Sequence, residues 1–114
     1  MAPPSKLAVA TGSVTRLVKE EASYHKELVQ QEERITKLQA SEGDENKEYT
    51  LRQERQALQE TQNVFPAIRS RIEQAIEKLE GELETSTDTG GDAEEIKKAQ
   101  AALASGKKVI AEGS

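Results

Sequence analysis

Cysteine and tryptophan are absent from this chain of 114 residues, and proline, methionine and aromatics are scarce: three Pro, one Met, one Phe and two Tyr. Without cysteine there is no disulfide framework and no thiolate metal site, so a reducing compartment, the cytosol by default, is the expected setting. Valine, isoleucine and aromatics are too few for a β-sandwich. Long apolar runs are missing as well. Nothing approaches the roughly 20 apolar residues that span a bilayer, and Met1-Ala2-Pro3-Pro4-Ser5-Lys6 has no apolar core of signal-peptide length behind it. A soluble protein with no membrane partner is expected. Positive charge is in deficit, with 16 Lys and Arg against 21 Asp and Glu, which argues against a general field for nucleic acid.

What the chain does have is the composition of long helices with thin apolar stripes: 32% charged and 34% apolar residues, rich in Glu, Lys, Gln, Arg, Ala and Leu. Leu51, Leu58, Phe65, Ile72 and Leu79 recur at a strict seven-residue spacing, which draws a narrow apolar seam along one helix. Pro66 follows the central member. A helix-interior proline removes one backbone hydrogen bond and clashes with the carbonyl four residues back, so a kink is expected there. Upstream, Val14, Leu17, Tyr24, Leu28, Ile35 and Leu38 make a second seam, diluted where Glu21 and Gln31 occupy heptad positions. Ile96, Ala99, Leu103, Gly106 and Ile110 make a third, rich in small residues.

These seams predict helices over about 12–41, 46–84 and 92–111, with residues 1–10 as an N-terminal arm and 85–91 as a polar loop. Thr11 is the expected cap of the first helix, Asp44 or Asn46 of the second, and Asp92 of the third, with Glu94 and Glu95 set against its positive end. The short link at 41–46 makes the first two helices antiparallel neighbours, and the second, at about 57 Å against about 43 Å, must overhang the first. The third helix then covers the overhang. One all-α domain, an antiparallel three-helix bundle that is elongated and coiled-coil-like, is the simplest closure. Gly106, inside the third seam, costs about 1 kcal/mol relative to alanine unless close packing needs it.

No constellation of catalytic or metal-ligating groups emerges, so neither an enzyme nor a cofactor is expected. His25 stands alone as a solvated residue flanking the first seam. For acidic pairs such as Glu32-Glu33 no sequence feature predicts the buried pocket that paired-carboxylate catalysis would need. Gly90-Gly91 is no phosphate cradle, because Asp92, Glu94 and Glu95 would repel the anion. Glu48 to Arg52, Glu33 to Lys37 and Glu94 to Lys98 are spaced to pair along helices at about 0.2–0.5 kcal/mol each. The last turn of the second helix is acidic against its own dipole.

Several segments together resemble the tubulin-folding cofactor A family. In the first helix they are Thr11-Gly12, Arg16-Leu17-Val18-Lys19-Glu20, Tyr24, Lys26-Glu27, Gln30-Gln31-Glu32 and Ile35-x-Lys37. In the second they are Tyr49, Leu58-Gln59-Glu60, Pro66, Arg71, Glu73, Ala75 and Leu79, so the resemblance covers about residues 11–83. The chain departs from the family pattern at Thr50, where Asp is common, and at Asn63-Val64-Phe65-Pro66-Ala67, where Met-Met-Ile-Pro-Asp is frequent. The resemblance implies an ATP-independent cytoplasmic chaperone of the microtubule cytoskeleton pathway. Its partner would be a quasi-native β-tubulin monomer released by the chaperonin, with further tubulin-folding cofactors acting later. Exposure inferred from the heptads, joined to that resemblance, nominates Arg16, Lys19, Glu20, Glu27, Glu32, Arg34, Glu60, Arg69 and Arg71 as client contacts. The alternative is a structural coiled-coil subunit that self-associates or assembles with other helical proteins through its seams, and both monomer and homodimer stay open.

Overall fold

A computed structural model describes residues 3–113, and it is all-α: α1 (Lys6–Ala40), α2 (Lys47–Asp88) and α3 (Ala93–Glu112). Each helix starts and stops on identifiable chemistry. α1 begins well inside the expected N-terminal arm, of which Met1 and Ala2 lie outside the described residues. Its cap is Ser5, whose hydroxyl accepts from the Ala8 amide at 3.0 Å while its carbonyl accepts from Val9 at 3.0 Å. Thr11, the expected cap, is a helix-interior residue, and its hydroxyl donates to the Leu7 carbonyl. The short alternation of Leu7 and Val9 concealed this extra turn and a half, because the apolar positions that matter are Leu7 and Ala10, both buried.

At the other end of α1, Gly43 takes the positive φ (61°) that turns the chain, and Lys47 Nζ donates to the Gln39 and Ser41 carbonyls at 3.1 and 2.6 Å. Asn46 then supplies the first carbonyl of α2, accepting from Thr50 at 2.9 Å, and its own amide donates to the Asp44 carboxylate. The helix continues through Pro66 and also through the first half of the expected loop. There Thr85, Thr87 and Thr89 turn their hydroxyls back onto the Gly81, Leu83 and Thr85 carbonyls, which lets a polar run stay helical. Gly90, at φ 69°, stops it. The Gly91 amide reaches the Ser86 carbonyl and the Gly90 amide that of Thr87, the paired bonds of a Schellman motif. Asp92 caps α3 by accepting from the Glu94 amide at 2.9 Å.

Packing divides the described chain into two compact units, one of residues 3–20 with 68–113 and the other of residues 21–67. The first is a three-helix bundle. Leu7, Ala10, Val14, Leu79, Ala99 and Ala102 form its core, flanked by Val18, Ala75, Leu83, Ile96 and Leu103. Because Leu7 and Ala10 share a cluster with Leu79 and Leu83, α1 accompanies α2 almost to its end, and the expected overhang shrinks to a few residues. α3 runs antiparallel to α2, as Lys107–Glu80 (3.2 Å) and the Arg69 bond to the Gly113 carbonyl show, and parallel to α1, as Ser5–Glu95 at one end and Val14 beside Gly106 farther along show. Gly106 is buried where the three helices meet. A Cβ there would stand 3.1 Å from side-chain carbons of both Ile76 and Val14, tighter than ordinary contact, so those side chains would have to give way to admit an alanine.

The second unit is an antiparallel helical hairpin. Tyr24 meets Phe65 edge-on at 6.5 Å between ring centroids, and Arg34 reaches Glu54 at 3.4 Å. Its buried side chains are Ile35, Leu51 and Phe65 together with three polar ones, Glu21, Gln31 and Thr61. Leu28 and Leu58 are half-buried on the same seam, as are Tyr24 and, in the other unit, Leu17.

Candidate functional site

Surface charge, rather than a cleft lined with reactive groups, is what this molecule offers. Among the described residues, no group of three or more His, Asp or Glu side chains is placed to hold a metal ion. Nor is any helix long and apolar enough to cross a membrane. Some of the charged side chains are already engaged, and others stand free in water.

Engaged ones are few. His25 is less solitary than its sequence position implies: Nε2 lies 2.6 Å from Oε1 of the buried Glu21, and the ring sits over Phe65 at 4.4 Å between centroids. The imidazole thus gives a polar partner to a carboxylate that the heptad carries into the seam. Glu80 pairs with Lys107, which places a cation beside the acidic end of α2, and Lys108 pairs loosely with Glu112 at 3.9 Å. In contrast, Glu48–Arg52, Glu33–Lys37 and Glu94–Lys98 form no ion pair, since exposed side chains gain too little from such contacts to give up their freedom.

The nine nominated contact residues fall into both units. Arg16, Lys19 and Arg71 are exposed in the three-helix unit and Glu20 is half-buried there. Glu27, Glu32, Arg34 and Glu60 are exposed in the hairpin, where Arg34 is paired with Glu54 and Glu60 accepts from Gln56 at 3.5 Å. Arg69 differs from the rest. It is half-buried, its guanidinium donates to the Gly113 carbonyl, and its Nε is buried without a partner, so this side chain is committed to the C-terminal end of α3. Its place beside Ile68 on a seam, between two core turns, explains the difference.

Two of the nine, Arg16 and Lys19, come together with residues not nominated from the sequence. They rim a groove of about 540 Å³ between α1 and α3, floored by Ala8, Thr11, Gly12 and Thr15 and bordered on the α3 side by Glu95 and Lys98. Farther along the same pair of helices the groove passes Val18, Ala101, Ala102 and Ser105. Nothing in the heptad pattern marks it: Glu95, Lys98, Ala101, Ala102 and Ser105 on its α3 side lie off the third seam, and only the packing of α3 against the start of α1 brings them to Ala8, Thr11 and Gly12.

Comparison with known proteins adds an independent line. The family model described as tubulin binding cofactor A matches residues 2–103. The chain is 38% identical over 102 residues to mouse and human proteins named tubulin-specific chaperone A, covering 90% of this chain and 91% of theirs. It is 28% identical over 107 residues to the Saccharomyces cerevisiae protein of the same name, covering 94% and 95%. No solved structure matches the chain.

Proposed function

The chain belongs to the tubulin binding cofactor A family, and from that membership we propose that it is a tubulin-folding chaperone that binds and stabilises quasi-native β-tubulin after chaperonin release. It works without ATP, in the cytoplasm, on the route to the α/β-tubulin heterodimer, and passes its client to other tubulin-folding cofactors. The observation that carries this reading is the family match over nearly the whole chain. The surface is compatible with it. A folded client is held reversibly by a few anchors within a polar rim, and α1 and α2 carry Arg16, Lys19, Glu27, Glu32, Arg34, Glu60 and Arg71 on exposed positions suited to that role. Glu20, being half-buried, is a minor contact, and Arg69 contributes through the fold rather than by touching the client. A self-assembling zipper is disfavoured because Leu51, Phe65, Ile72 and Leu79 are already buried within the chain.

The test is gel filtration of the purified protein mixed with β-tubulin under conditions that preserve the near-native monomer. Co-elution is expected, and charge reversal at Arg71 and Glu60 together weakens it. Absence of co-elution overturns the reading.

A further inference from the structure

The groove between α1 and α3 is lined by cations and by small side chains. Three cations, Arg16, Lys19 and Lys98, stand exposed on its rim, and among the described residues none is within ion-pair distance of a carboxylate. The one acidic lining residue, Glu95, is half-buried and accepts the Ser5 hydroxyl at 2.7 Å. A chain of formal charge −5 thus carries three unpaired cations along one small depression. The floor is apolar and shallow for a chemical reason. Thr11 and Thr15 donate their hydroxyls to the Leu7 and Thr11 carbonyls of their own helix, at 2.8 and 3.0 Å, which leaves their methyl groups for the groove. Gly12 has nothing within 4 Å of where a Cβ would stand, so the backbone of α1 is open to approach at that point.

We propose that this groove binds an acidic polypeptide segment with small side chains, seated between α1 and α3 with its carboxylates on Arg16, Lys19 and Lys98. Charge complementarity selects the acidic partner, and a floor of methyl groups and glycine selects a close-lying peptide. Nucleic acid is the poorer fit, because no aromatic side chain lines the groove to stack a base and the rim offers only three cations. The inference does not rest on the tubulin reading, and its test contains no tubulin.

The probe is a short fluorescein-labelled Glu/Ala peptide followed by fluorescence anisotropy at low salt, with a Gln/Ala peptide and a short oligothymidylate as comparisons. Binding of the Glu/Ala peptide alone, weakened by added salt, is the expected result. The double variant R16E/K98E should bind on the order of tenfold more weakly or worse, and K26E, on the hairpin unit, should bind as wild type. Gly12→Leu separates the groove from charge alone: the open space lets it fold, checked by an undiminished melting temperature, while the added side chain fills the floor and abolishes binding. Tighter binding of the oligothymidylate, equal binding of the Gln/Ala peptide, or full binding by a folded Gly12→Leu protein overturns the proposal.

Discussion

The three-helix unit and the hairpin unit are built on the same heptad spacing and filled differently. In the first, Leu7, Ala10, Val14, Ile72, Leu79, Ala99 and Ala102 are buried, and among the described residues no polar residue is buried as a whole, Arg69 being half-buried with only its Nε enclosed. In the second, Glu21, Gln31 and Thr61 occupy buried seam positions beside only Ile35, Leu51 and Phe65. The contrast follows from the number of helices. With three, an inward position is enclosed from two sides and a charged group there would be stranded. With two, the edge of the seam remains within reach of water or of a flanking partner, as His25 is to Glu21. Heptad spacing therefore specifies which residues face inward, and the count of neighbouring helices decides how apolar they must be.

The sharpest way to break this comparison is to truncate one isoleucine in each unit. Ile72, fully buried, should cost about 4 kcal/mol as Ile72→Ala, whereas Ile35→Ala, at 8% exposure in the hairpin, should cost about 2. Urea unfolding measures both, and equal losses would show that the units are enclosed alike. Next in size is Pro66→Ala. It restores the amide that the Gln62 carbonyl lacks and should raise stability by about 2 kcal/mol, with a straighter α2 in spin-label distance measurements. No gain would mean that the bend expected from the proline seats the two seams. Smallest is Gln31→Leu. The Gln31 Oε1 is buried without a hydrogen-bond partner, so an apolar replacement should add about 1 kcal/mol to thermal stability; a loss would mean that the amide supports the hairpin.

Much of this architecture was legible because helix seams are local. Leu51, Phe65, Ile72 and Leu79 on α2 and the polar interruptions at Glu21 and Gln31 follow from spacing alone, whereas Ile68 and Ile76, also buried, lie off the seven-residue repeat. Asp92 was legible for the same reason, since a cap depends on one or two neighbours. Much of what escaped depended on packing across helices. Ser5 rather than Thr11 starts α1 because Leu7 and Ala10 have a core to enter, and that core includes Ala99 and Ala102 from the far end of the chain. The polar threonines at 85–89 read as loop because propensity ignores hydroxyls that return to their own helix. The cationic groove was out of reach for both reasons at once. Arg16 and Lys19 were visible as exposed charges, but only the parallel pairing of α1 with α3 brings Lys98 to them.

The three-helix unit is discontinuous in the chain, and this bears on the order in which the molecule folds. Its contacts join Ser5 to Glu95, 90 residues apart, while the hairpin closes from a turn outward, Lys47 to Gln39 at a separation of 8 and then Arg34 to Glu54 at 20. Once the hairpin has zipped, the ends of the three-helix unit are no longer separated by a free coil of residues 21–67, and the loop-closure entropy of joining them falls. The more polar half should thus form first and the more apolar half should consolidate late, the reverse of a collapse led by the greasiest surface. Stopped-flow φ-values settle the order: substitutions at Leu51 and Phe65 should slow folding, whereas those at Ala99 and Leu79 should chiefly hasten unfolding.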